Sequence, residues 1–103
     1  MNEWHSLGSV TDFKDGGVTP ATIDDEEVVI VRCGDQLACF KDQCSHQDVK
    51  LSEFGEVVDK ELVCYAHGAR FQCMTGQVLG APAFAPLERY ELRVENGVVS
   101  VCI

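Results

Sequence analysis

Nothing in this sequence approaches the ~18 consecutive apolar residues of a membrane-spanning helix, and no long stretch carries the 3.6-residue apolar period of an amphipathic helix. The first absence argues against a membrane protein, the second against a helical bundle. The N-terminus, Met1-Asn2-Glu3-Trp4-His5-Ser6, has no basic region, no apolar segment behind it and no twin-Arg pair. With no export signal read there, the expected compartment is the cytoplasm. Basic residues are scarce: 8 Lys and Arg stand against 17 Asp and Glu, for a net charge of −9. That balance disfavours nucleic acid and anionic membrane surfaces, which recruit basic patches, and suits a partner that docks with a basic face. Repeats, low-complexity tracts and inter-domain linkers are also missing. A chain of 103 residues, 46% of them hydrophobic, is then expected to form one domain, 1–103, with a modest core. Nothing suggests an extended hydrophobic interface, so a monomer is expected.

Cysteine is not scarce. Six in a short chain would suggest disulfides in a secreted protein, and the missing export signal turns the argument the other way. Cys33, Cys39, Cys73 and Cys102 each lie in or beside an apolar strand-like run, where a thiol acts as a small hydrophobe. Cys33 and Cys39 flank a turn and could face each other, which makes them the one disulfide pair worth testing.

The apolar runs are short and cut by turns. Val28-Val29-Ile30-Val31-Arg32-Cys33, the turn Gly34-Asp35-Gln36 and Leu37-Ala38-Cys39-Phe40 read as a hairpin. The charge run Asp24-Asp25-Glu26-Glu27 reads as a solvated turn after Val18–Ile23. Towards the C-terminus, Tyr90, Leu92 and Val94 alternate with Glu91, Arg93 and Glu95, the period of a strand with one wet face. Asn96-Gly97 supplies the two positive-φ residues of a tight turn, and Val98–Ile103 returns the chain. Short helical turns are allowed only near Asp12-Phe13 and around Val49-Lys50-Leu51. Residues 41–85, rich in glycine and poor in long apolar runs, read as an insertion between two halves of a base formed by 1–40 and 86–103. The expected fold is all-β and mainly antiparallel.

That middle segment carries the chemistry. Cys44-Ser45-His46 is followed, after 17 intervening residues, by Cys64-Tyr65-Ala66-His67. Each half offers one sulfur and one nitrogen within three residues, on a loop after a strand. Two thiolates and two imidazoles can hold a [2Fe–2S] cluster in which histidine replaces cysteine on one iron. Two ferric ions, two sulfides and two thiolates sum to zero charge, so an added electron costs less than on an all-thiolate cluster. The reduction potential rises accordingly, to roughly −150 to +300 mV against about −400 mV for plant-type ferredoxins. Two Cys and two His also suit tetrahedral zinc, although zinc modules usually group like ligands. Colour separates the two: an iron–sulfur protein is red-brown and bleaches on reduction.

With His67-Gly68-Ala69-Arg70-Phe71, Thr75-Gly76 and Ala81-Pro82-Ala83 added to these motifs, the segment from Cys44 to Pro86 resembles the cluster-binding subdomain of Rieske proteins. The whole chain is similar to the small Rieske ferredoxins of bacterial ring-hydroxylating dioxygenase systems. The resemblance implies a Rieske-type antiparallel sandwich or barrel base with an inserted cluster-binding subdomain. It implies one Rieske-type 2Fe–2S cluster, with Cys44 and Cys64 on the inner iron and His46 and His67 on the outer one, and Pro82 in a third loop over it. It further implies a one-electron carrier and not an enzyme, taking electrons from a flavin-dependent ferredoxin reductase and passing them to a terminal Rieske oxygenase. Aromatic hydrocarbon catabolism would be the setting; a small subunit of a nitrite-reductase-like complex is the alternative. Only His5 is left after ligation, too little for the two-His, one-carboxylate iron site of an oxygenase.

Departures from the respiratory-chain branch carry expectations of their own. That branch has a disulfide between its two loops; Asp48 and Ala66 stand at those places here. It also has hydroxyl donors where this chain has Ala69 and Phe71, so a potential at the low end of the Rieske range is expected. Trp4 is read as a core or strand residue. Asp42, Asp48, Glu53 and Glu56 are candidates for steering a basic partner.

Overall fold

The computed structural model describes residues 3–44, 49–66, 68–80 and 85–103. His46, Asp48, His67 and Pro82 therefore lie outside the described residues. Among the described residues, ten strands form two antiparallel sheets. The larger, barrel-like one contains β1 (Trp4–Ser9), β2 (Val18–Ile23), β3 (Glu26–Cys33), β4 (Gln36–Lys41), β9 (Arg89–Glu95) and β10 (Val98–Cys102), in the order β1-β10-β9-β4-β3-β2. The smaller one contains β5 (Gly55–Val58), β6 (Glu61–Cys64), β7 (Ala69–Gln72) and β8 (Val78–Gly80), in chain order. Two single helical turns complete the described elements: a 3-10 turn at Val10–Asp12 and α1 at Leu51–Phe54.

The unbroken apolar run in β3 has a specific cause. Val28 and Ile30 pack with Phe13, Ile23, Cys39, Val99 and Val101 inside the larger sheet. Val29 and Val31 point the other way and pack with Ala38, Phe40, Leu51, Leu62 and Phe71, between the two sheets. A strand buried on both faces has no wet position to alternate with. Between β10 and β4, β9 does alternate, Tyr90 and Leu92 half-buried between exposed Arg89, Glu91 and Arg93. The alternation stops early: Val94, expected inward, is 44% exposed.

The Cys33–Cys39 pairing is not made. In the β3–β4 register Cys33 lies opposite Gln36 and Cys39 opposite Ile30. Cys33 is three residues from Ile30 in β3, an odd number that sends the two side chains to opposite faces, so the two thiols enter different cores. Trp4 is a strand residue but not a core one; it is 39% exposed, with the Arg93 guanidinium 4.1 Å above its ring. The charge run is split: Asp24 and Asp25 form the turn, at φ 48 and 69, while Glu26 and Glu27 already pair in β3. Asn96 and Gly97 both adopt the expected positive φ, 52 and 76, and join β9 to β10.

Candidate metal centre

Both cysteines of the paired motif sit at the mouth of a short loop whose ends are tied by backbone hydrogen bonds. Cys44 follows β4, and its N–H donates to the Val49 carbonyl at 2.9 Å, joining the residues on either side of 45–48. Cys64 is the last residue of β6, opposite Gly55 and Ala69. Its carbonyl accepts the Gly68 N–H at 2.8 Å, on either side of His67. Gly68 has φ +79, a left-handed conformation that glycine adopts without Cβ strain.

The one-turn helix α1 braces both loops. Asp42 is buried, and its carboxylate accepts from the Ser52 N–H at 2.8 Å and the Ser52 hydroxyl at 2.6 Å. Beside it, the Tyr65 N–H donates to the Phe54 carbonyl at 3.0 Å and the Tyr65 hydroxyl to the Glu53 carbonyl at 2.9 Å. One loop is thus tied through Asp42 and the other through Tyr65. This corrects the expectation for Asp42: its carboxylate is turned inward and held by two Ser52 donors, so it braces the site and offers no exposed contact to a partner. Glu53 and Glu56 are exposed. The sequence carries no signal that would separate Asp42 from its solvated neighbours, because the burial depends on where Ser52 arrives.

A third tie comes from the Thr75-Gly76 pair. The Gly76 N–H donates to the Gln72 carbonyl at 2.8 Å, and its own carbonyl accepts the Leu87 N–H at 2.9 Å. A Cβ on Gly76 would lie 2.8 Å from Phe40 Cε1 and 3.0 Å from Leu87 Cβ. Only a residue without a side chain lets the segment after 81–84 lie this close to the larger sheet.

Cys44 and Cys64 are 1% and 0% exposed and belong to one packed core with Leu51, Leu62, Ala69, Phe71 and Leu87. Two buried thiols in an apolar shell are a soft donor set, suited to iron–sulfur or zinc chemistry and poor for magnesium or calcium. The residues present therefore fit the cysteine half of the expected centre. Another group of ligating side chains, Glu3, His5 and Asp24, gathers on the larger sheet, with ligand atoms within 4.8 Å of one another. It shares no residue with the cysteine loops. No helix among the described residues is long and apolar enough to cross a membrane.

Comparison with known proteins agrees with this arrangement. The family model "Rieske [2Fe-2S] domain" matches residues 3–91. The anthranilate 1,2-dioxygenase ferredoxin subunit of Burkholderia cepacia is 32% identical over 101 residues, which cover 98% of this chain and 93% of that protein. The ferredoxin of carbazole 1,9a-dioxygenase from Nocardioides aromaticivorans IC177 superposes with a TM-score of 0.86 at 27% identity, over 95% of each chain. A chain in the complex of reduced oxygenase and oxidised ferredoxin of carbazole 1,9a-dioxygenase matches with a TM-score of 0.85 at 28% identity, over 95% of this chain and 91% of that one. These matches decide for a Rieske 2Fe–2S cluster over zinc. The chain belongs to the Rieske [2Fe-2S] domain family, and the ferredoxin electron carriers named above match it over nearly their whole length.

Proposed function

We propose that this protein carries single electrons from a flavin-dependent reductase to the Rieske centre of a terminal oxygenase acting on an aromatic compound. The observation that carries the reading is the pair of buried thiols at two tied loop mouths, Cys44 and Cys64, in a chain similar over nearly its whole length to a dioxygenase ferredoxin subunit. The bound cluster stores one electron at a time. Cys44 and Cys64 are our ligands for one iron, and His46 and His67 for the other. Residues 41–85 would form the cluster-binding part and residues 1–40 and 86–103 the base. Burial of the cysteine side in an apolar core leaves the loop tips as the route for the electron, and exposed Glu53 and Glu56 would meet a basic docking face. A cytoplasmic monomer fits this role.

The same geometry supports a low potential. Ala69 and Phe71 are fully buried in β7 and carry no hydroxyl, and the Tyr65 hydroxyl is committed to the Glu53 carbonyl. Fewer donors towards the cluster stabilise less of the added charge. Redox titration followed by electron paramagnetic resonance should give a mixed-ligand 2Fe–2S signal with a midpoint near the lower Rieske limit, roughly −150 mV. A clearly positive midpoint overturns the low-potential reading. Failure to support turnover with a purified reductase and Rieske oxygenase would overturn the carrier role. The ferredoxin relatives favour this reading over a small subunit of a nitrite-reductase-like complex.

A further inference from the structure

Two thiols outside the metal centre meet where the sheets come together. Cys33 ends β3 and Cys73 follows β7, and both pack into the core between the sheets. The Cys33 sulfur is near enough to act on the Cys73 thiol. Both also line a surface hollow of about 420 Å³, together with Lys60 and Met74. The remaining thiols outside the motif are placed elsewhere: Cys39 is in the core of the larger sheet, and Cys102 lies opposite Trp4 in β10. Two thiols 40 residues apart in sequence thus share one core and one opening to solvent.

We propose that Cys33 and Cys73 form a peroxide-sensitive dithiol that closes to a disulfide and joins the end of β3 to the smaller sheet. Cys33 is half-buried and Cys73 is 1% exposed, so an oxidant from the hollow meets Cys33 first. Burial and the adjacent Cys33 sulfur push the Cys73 thiol up to about 12, which leaves it little thiolate for direct attack on peroxide. In the first step the Cys33 sulfur takes one oxygen from hydrogen peroxide, forming a sulfenic acid and releasing water. In the second the Cys73 sulfur attacks that sulfur, the S–S bond forms, the S–O bond breaks and a second water leaves. Two thiols lose two electrons in total and one peroxide gains them. The closed loop contains both Cys44 and Cys64, so the bond would constrain the whole segment that carries the metal motif.

The test uses the cluster-loaded protein. Stoichiometric hydrogen peroxide is added anaerobically, thiols are blocked with N-ethylmaleimide, and tryptic peptides are mapped without reduction while cluster absorbance is followed. The expected product joins peptide 33–41 to peptide 71–89 with a loss of two titratable thiols, and dithiothreitol reverses it. Peptide 33–41 also contains Cys39, so the link must survive in Cys39→Ser and vanish in Cys33→Ser. Fragmentation of the wild-type linked peptide makes the same assignment if Cys33→Ser does not fold. A link through Cys39, accumulation of oxidised Cys33 with no linked peptide, or bleaching of the cluster before any link appears would each overturn the proposal.

Discussion

The two sheets differ in what holds them. The larger has strands of 5 to 8 residues and a private core of Phe13, Ile23, Val28, Ile30, Cys39, Val99 and Val101. The smaller has strands of 3 or 4 residues, below the usual five or six. Its inward face shares a core with Cys44 and Cys64, the two cysteines proposed as ligands. With strands this short the sheet holds few ladder hydrogen bonds of its own, and metal binding is expected to add to its folding free energy. The expected contrast is a larger sheet that holds without the cluster and a smaller one that needs it.

The largest expected effect breaks that contrast directly. Cys64→Ser should abolish the cluster. Amide exchange should then approach the unprotected rate in β5 to β8 while β3, β4 and β10 stay protected. Uniform loss of protection in both sheets would show that they are one cooperative unit and end the comparison. Gly76→Ala comes next. It combines a left-handed φ of +76 with a Cβ that would press on Phe40 and Leu87, and a loss of about 2–4 kcal/mol is expected. Urea unfolding followed at the cluster absorbance measures it. A loss well below that range would mean that Leu87 and its segment can withdraw at no cost.

This contrast also explains what could be read from the chain. The larger sheet was legible because its runs are long enough to show a period and its last turn is Asn96-Gly97. The motif was legible because Cys44, His46, Cys64 and His67 share an unusual spacing. Strands of four residues such as Val58's and Leu62's show too few positions for any period. Their turn, Asp59-Lys60, contains no glycine to announce it. The burial of Asp42 and the meeting of Cys33 with Cys73 depend on packing between segments distant in sequence, which no local pattern encodes.

A smaller effect sharpens the contrast from the side of the larger sheet. Burial pushes the Cys39 thiol up to about 12 from an ordinary value near 9. The folded protein holds it neutral while the unfolded chain ionises it. Its contribution is therefore fully present below pH ~9 and is lost as the pH rises towards ~12. Between pH 8 and 10 this one thiol should remove about 1 kcal/mol of stability. In Cys39→Ala the difference between the unfolding free energies from urea titration at those two pH values should shrink by that amount. An unchanged pH dependence would show that the thiol ionises as freely in the folded state.

The smallest effect lies in the turns. Asp59 and Lys60 join β5 to β6 at φ 49 and 66, where Asn96 and Gly97 join β9 to β10 at φ 52 and 76. Aspartate and asparagine tolerate the left-handed region better than lysine, whose Cβ crowds the following carbonyl. Lys60→Gly removes that crowding and adds freedom to the unfolded chain, two terms of opposite sign and similar size. Strain is the larger, so a net gain of about 0.5 kcal/mol is expected, with slower exchange confined to the amides of β5 and β6. The matching change on the other side, Gly97→Ala, should cost stability, because there the glycine already occupies the position that demands it. If both substitutions shift the urea midpoint in the same direction, turn strain does not distinguish the sheets, and the weakness of the smaller one lies wholly in its short strands and its dependence on a bound cluster.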